Sequence, residues 1–215
     1  PPIAKKIAHL LSWVHQKSYF SLGHFASAAE GGLHPKHRLT SYHQFFVDNV
    51  SEGDSVLEVG CGNGALLRDV AGKSRGVVVG VEVSAENTAL AKAKLANLAG
   101  SKIVHSDIWE YDNPGLFDVI VLSNTLEHLD RRPTLLRRVK EKFRPQKFLI
   151  RVPMFEREWP VAYKRELGVE WRLDPTHEIE YSENELKEEL SEAGLEIFSL
   201  EIRWGEFYVV AVPKK

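Results

Sequence analysis

The segment Val56-Leu57-Glu58-Val59-Gly60-Cys61-Gly62-Asn63-Gly64 constrains this chain more than any other. A short run of β-favouring residues carrying an acid runs into three glycines spaced by single residues. Ala65-Leu66-Leu67-Arg68-Asp69-Val70 then follows as a helix-like segment. Strand, tight turn and helix start open a nucleotide-binding α/β unit. Glycine permits backbone angles closed to other residues and lets a ligand approach the main chain without meeting a Cβ. The spacing is E-x-G-x-G-x-G, whereas the dinucleotide fingerprint is G-x-G-x-x-G, so a nicotinamide-dependent oxidoreductase is disfavoured.

A second signal lies downstream. Gly76-Val77-Val78-Val79-Gly80-Val81-Glu82-Val83-Ser84 reads as an apolar strand ending in an acid. Glu82 comes eighteen residues after Gly64, near the offset of about 20 at which an acid meets a ribose diol.

On these residues the chain resembles the class I S-adenosylmethionine (SAM)-dependent methyltransferases, over roughly residues 40 to 212. Glu58 through Gly64 matches the family's first motif, and Glu82 matches its acid after the second strand. Asp107, in Ile103-Val104-His105-Ser106-Asp107-Ile108, matches the acid that usually contacts the adenine amino group. Phe117 to Leu129 matches the fourth-strand segment, and its Leu126-Glu127-His128-Leu129 ending is similar to a small-molecule branch that includes quinone-precursor methylases. The resemblance implies a Rossmann-like, doubly wound α/β fold. Its seven-stranded, mostly parallel sheet would carry helices on both faces, a C-terminal antiparallel hairpin and an N-terminal helical cap. The implied cofactor is SAM, and the implied contact set is Glu58, Gly60, Cys61, Gly62, Gly64, Glu82, Val83, Asp107, Ile108 and Asn124. Main-chain N–H groups at the glycine turn suit the cofactor's carboxylate. An ionised Glu82 suits the diol, because a carboxylate accepts two hydrogen bonds.

Bulk properties narrow the class. The chain has 215 residues, 43% hydrophobic and 27% charged, values of an ordinary globular domain. Its net charge of −2 gives no basic excess, so a nucleic-acid acceptor is disfavoured. Cys61 stands alone, which excludes an internal disulfide framework and a multi-cysteine metal site. No apolar run reaches the ~18 residues of a membrane span. The opening Pro1-Pro2-Ile3-Ala4-Lys5-Lys6 lacks a secretory signal pattern, so a cytoplasmic location is expected.

The chain divides into an N-terminal helical extension, 1–50, and a SAM-binding domain, 51–215. Ile3, Ile7, Leu10, Leu11 and Val14 follow helical spacing and predict a helix over 3–28, docked on the domain or closing it as a lid. Glu30-Gly31-Gly32-Leu33-His34-Pro35 breaks it, and His37 to Val50 reads as a second helix with Tyr42, Phe45, Phe46 and Val50 on its apolar face. Strands are predicted near 55–59, 76–82, 102–106, 117–123, 146–152, 195–203 and 206–212, with helices near 63–72, 85–98 and 131–143. Ser182-Glu183-Asn184-Glu185 is a capping-box start for a helix running to Ala193. An irregular insert over 153–181 is rich in aromatic and charged residues. Trp159, Tyr163, Arg165, Trp171 and Arg172 are its candidate acceptor contacts.

Methyl transfer needs proximity and orientation above all, and a base only where the acceptor must lose a proton. His128 and His177 are the candidate bases, each weighed against a purely structural role. His34, His37 and His43 lack a nearby carboxylate-rich set, so no metal site is expected. The expected reaction carries a methyl group from SAM to an oxygen or nitrogen of a small-molecule or glycan-like acceptor. An RNA or protein methylase is the alternative. Ser123-Asn124-Thr125-Leu126 disfavours it, since the Asn/Asp-Pro-Pro-aromatic run of base amino methylases is missing. A non-catalytic SAM-binding protein stays open.

Overall fold

The computed structural model describes residues 2–32, 34–113 and 115–214. Pro1 of the opening and Leu33 of the helix break lie outside them. Seven segments pair into one sheet: β1 (Val56–Val59), β2 (Val78–Glu82), β3 (Ser101–His105), β4 (Val119–Ser123), β5 (Lys147–Pro153), β6 (Leu195–Arg203) and β7 (Glu206–Pro213). Their order is β3-β2-β1-β4-β5-β7-β6. The first five run parallel, with Val56 opposite both Val78 and Val119. β7 is antiparallel to β5 and β6. The β6–β7 hairpin turns through Trp204 and Gly205, both at positive φ, as tight hairpins require. This is the doubly wound sheet with a closing hairpin that the sequence predicts.

The apolar strands are buried on both faces because helices cover both. Every residue of β1 and β2 is buried. Successive residues point to opposite faces. Leu57, Val59, Ile120 and Ile150 pack under α6 (Arg132–Phe143) and α8 (Glu183–Glu192), through Leu135, Leu136, Leu186 and Leu190. Val56, Val78, Val119 and Val121 pack under α4 (Ala65–Ser74) and α5 (Ala85–Leu95), through Leu66, Leu67, Val70 and Ala91. The chain enters at β1, winds outward to β3, then returns to β4 beside β1. Strand order reverses there, and open α/β sheets bind ligands outside the carboxyl ends at such a point.

Three local expectations are corrected. The helix expected over His37–Val50 is two short ones, α2 (Lys36–Leu39) and α3 (Gln44–Asp48), separated at Ser41, whose φ is +50°. The break lets Tyr42 turn inward. Its hydroxyl lies 2.7 Å from Asn124 Oδ1 and 3.2 Å from Glu206 Oε1, and accepts from Lys36 Nζ at 2.7 Å. The insert is not irregular throughout: it holds a 3₁₀ turn at Phe155–Arg157 and α7 (Trp159–Leu167). Pro160 starts α7 and Gly168 ends it at φ +70°, the asymmetry expected of helix ends.

The third correction concerns α1 (Pro2–Ala29). Its apolar stripe does not dock: Ile3, Ile7, Leu10, Leu11 and Val14 are 45–71% exposed. The helix attaches by its other side, through buried Gln16. Gln16 Nε2 donates to the Arg172 carbonyl at 2.8 Å, and its Oε1 accepts from buried Lys164 Nζ at 2.6 Å. Buried polar groups must be paired, so these bonds fix α1 against α7 and the insert rather than against the sheet. Among the described residues no helix is long and apolar enough to cross a membrane.

Candidate active site

The glycine turn leaves β1 with Gly60, Gly62 and Gly64 all at positive φ. The three do different work. A Cβ on Gly60 would stand 2.9 Å from Thr125, so this glycine lets the β1 and β4 ends approach. A Cβ on Gly64 would meet Leu95 and Ala91 at 2.8 and 3.0 Å, so this one seats α5 against the start of α4. A Cβ on Gly62 would meet nothing within 4 Å. That face of the turn is open, as a backbone awaiting a ligand must be. Cys61 is buried between them, and burial pushes its thiol pKa up, so it serves as a small packing residue.

Glu82 ends β2 beside this turn and is 7% exposed. Its Oε2 accepts from Gly62 N at 2.8 Å and its Oε1 from Ser84 N at 2.8 Å. The carboxylate thus holds the open glycine in place while keeping lone pairs for further donors. Glu58, buried in β1, has an Oε2 with no hydrogen-bond partner. Burial raises its pKa well above the usual carboxylate range, with Arg151 opposing. An open glycine face flanked by a buried orphan oxygen and a second acid fits the positively charged end and the diol of SAM. Asp107 is exposed beyond β3 and caps its own turn, accepting from Trp109 N at 2.8 Å, with Ile108 buried behind it. Val83 is 68% exposed at the same edge. Asn124 differs from these. At φ +52°, its amide accepts from Arg151 Nε at 2.9 Å and donates to Glu206 at 3.1 Å, so the side chain serves the Tyr42–Arg151–Glu206 network.

Both candidate bases lie together beyond β4. A 3₁₀ turn, Leu126–His128, buries Glu127 fully and leaves His128 exposed. The insert folds back onto this turn, with Glu178 N donating to the Glu127 carbonyl at 2.7 Å. That brings His177 edge-on to His128, ring centroids 4.7 Å apart. Ligand-capable atoms of Glu127, His128 and His177 lie within 4.8 Å of one another. His177 Nδ1 is 3.0 Å from Glu180 Oε1, and His128 Nδ1 is 3.0 Å from Thr176 Oγ1. Burial pushes the Glu127 pKa up to about 7. Burial, then the neighbouring His177, lowers that of His128. The histidines weighed for a metal from sequence lie near α2 and α3. His37 meets His43 edge-on at 4.9 Å, and His43 Nδ1 lies 2.7 Å from Asp69. Sequence reasoning missed Glu127 and Glu180. The adjacent Glu-His pair and the His177-x-x-Glu180 spacing were the available signals.

The candidate acceptor contacts separate into groups. Arg165 lies over the rings of Phe155 and Trp171, centroids 5.2 and 5.5 Å away. Arg172 pairs with Glu170 at 2.9 Å and donates to the His177 carbonyl at 2.8 Å, bracing the loop that carries this histidine. Trp159 and Tyr163 lie together on α7, where Trp159 is 78% exposed and Tyr163 lines a cleft against Ala4 and Ala8 of α1.

Known proteins with this architecture sharpen the reading. The sequence matches the family described as "Methyltransferase domain" over residues 33–200. It is 34% identical over 95 residues to (S)-coclaurine N-methyltransferase of Thalictrum flavum subsp. glaucum, covering 43% of this chain and 26% of the relative. The chain thus spans about a quarter of the length of the curated relatives it matches. Its fold is similar to that of the small RNA methyltransferase HEN1, with TM-score 0.67 and 16% identity over 82% of this chain and 25% of that one. It is also similar to magnesium protoporphyrin IX methyltransferase from Synechocystis PCC 6803 with bound SAH, with TM-score 0.60 and 16% identity over 93% and 84% of the two chains. The match over most of its length, on a sheet whose switch point carries the glycine turn and Glu82, shows that the chain belongs to the methyltransferase-domain family.

Proposed function

We propose that the protein transfers a methyl group from SAM to an oxygen or nitrogen of a small-molecule or glycan-like acceptor. The observation that carries this reading is the opposition of two features across β1 and β4. The open Gly62 face with Glu82 stands on one side, and the Glu127–His128–His177 cluster stands on the other. The N-methyltransferase named among the relatives supports a small-molecule acceptor. The net charge of −2 supports it over a polyanion.

When bound, SAM supplies an electrophilic methyl group. The chain does the rest. Main-chain N–H groups of the turn and of the start of α4 bind the carboxylate end. Glu82 accepts from the diol, Asp107 from the adenine amino group, and Ile108 packs on the ring. His128 would take the proton that an acceptor O–H or N–H loses. The 153–181 insert covers the acceptor side and excludes water.

The test has two parts. SAM and S-adenosylhomocysteine at 100 times Kd should each stabilise the protein by about 2.7 kcal/mol, a rise in Tm of roughly 5–10 °C, while NAD should leave Tm unchanged. Labelled SAM should then pass its methyl group to a component of a metabolite extract. His128→Asn should lower that turnover about 10²-fold or more with SAM affinity intact. Full turnover in both His128→Asn and His177→Asn would reduce catalysis to positioning.

A further inference from the structure

We infer that Glu127, His128 and His177 bind one divalent metal ion of the borderline class that accepts imidazole and carboxylate together. The first ground is geometric. One carboxylate and two imidazoles converge with ligand-capable atoms within 4.8 Å of one another, slightly wider than the roughly 4.4 Å that two bonds of about 2.2 Å span, so the side chains close on the ion as it binds. The second ground is an unmet need. Glu127 is fully buried, and neither of its oxygens has a hydrogen-bond partner. A carboxylate so placed lacks what burial normally demands, and a bound cation supplies it.

The third ground is the surroundings of the two rings. A metal-binding histidine usually gives its other ring nitrogen to a carboxylate or a similar acceptor, which fixes its orientation. His177 Nδ1 lies 3.0 Å from Glu180, itself fully buried and paired with Arg157. His128 Nδ1 lies 3.0 Å from the Thr176 hydroxyl, which lies 2.7 Å from Asp174 Oδ1. Each ring is therefore steered by Nδ1, leaving Nε2 as its free donor. A plain packing role explains the edge-on rings but not two separate steering partners around an unpartnered buried acid.

Two imidazoles and one carboxylate suit Zn²⁺, Mn²⁺, Fe²⁺ or Co²⁺ better than an ion that demands oxygen throughout. Three protein ligands leave positions open to water or to a substrate oxygen. Thr125 touches the glycine turn, with its Oγ1 donating to the Val59 carbonyl at 3.0 Å. Glu127 follows two residues later. In the methyl-transfer reading, on which this step rests, an ion on His128 would replace that ring as the means of deprotonation: it would hold the acceptor hydroxyl on the side facing the cofactor and lower its pKa, the proton passing to solvent.

Chelator-stripped protein dialysed against Co²⁺, and separately Zn²⁺, tests the site by elemental analysis and, for cobalt, by visible absorption. One ion per chain is expected. His128→Ala and His177→Ala should each lose it, and Glu180→Gln, which acts only through His177, should weaken it 10–100-fold. SAM affinity, titrated on the same samples without metal, reports that each variant is folded and stays near wild type. Because His128 is exposed, its variant is the one least exposed to a folding objection. Stoichiometric binding that survives both histidine substitutions, or no binding by protein that still binds SAM, would overturn the site. Metal binding without SAM binding would instead sink the methyl-transfer reading and leave the metal site standing.

Discussion

Glu82 spends its two oxygens on Gly62 N and Ser84 N, so it is both the proposed diol ligand and the clamp on the turn. Glu82→Ala should weaken SAM binding by about 1.5–3 kcal/mol, the range for hydrogen bonds to a charged group, as read by calorimetric titration. Gly62 separates binding from folding. A side chain there meets nothing in the protein, yet it would stand where a ligand must approach. Gly62→Val should abolish SAM binding while the melt stays cooperative, and normal binding would move the cofactor elsewhere. These two residues were legible because strand ends and glycine spacing are local properties. Glu127 was not. Its burial depends on the insert backbone at Glu178 folding onto it from fifty-one residues away, and nothing in the local pattern announces that a strand-end acid will be sealed without a partner.

Elements read well wherever a local device starts or stops them. All seven strands lie within about two residues of their predicted bounds, and β1, β2 and β4 read most clearly because buried parallel strands appear as apolar runs. The capping box at α8 forms as its spacing predicts, with Ser182 accepting from Glu185 N and Glu185 accepting from Ser182 N. Ser182→Ala should cost about 1 kcal/mol, a fall in Tm of roughly 2–4 °C in a thermal melt, with SAM affinity unchanged. The segment 36–50 read poorly because tertiary contacts override its helical pattern. Tyr42 is drawn inward by a network reaching Asn124, Arg151 and Glu206, and Ser41 takes the positive φ that this requires. The periodicity of α1 is real, but periodicity alone does not say which face will be covered. The buried Gln16–Lys164 bond decided that.

At the scale of the whole molecule, stability depends on pH through His37 of α2. Burial, with His43, Lys36 and Arg151 nearby, lowers the His37 pKa from 6.5 to about 4. The fold therefore favours the neutral ring. This stability is fully present above pH 6.5 and is lost as pH falls through about 4, because the unfolded chain then binds the extra proton more readily. Thermal melts from pH 7.5 down to 4 should show Tm falling more steeply for the wild type than for His37→Gln. Parallel curves would place His37 outside the linkage.

The two ends of the insert are joined at one seam beside β5. Tyr181 N donates to the Pro153 carbonyl at 3.0 Å, and Phe155 N to the Tyr181 carbonyl at 2.8 Å, so the loop between them begins and ends at neighbouring points. A segment whose ends are already stitched together can be exchanged for another of different length at little cost in loop closure. The sheet, the glycine turn and Glu82 would be untouched by such an exchange. His177 and Glu180 would leave with the old loop, while Glu127 and His128 stayed behind. Under the proposed function, a lineage that swaps this loop to change its acceptor would also discard His177 and Glu180, so selectivity and chemistry would be inherited as one unit.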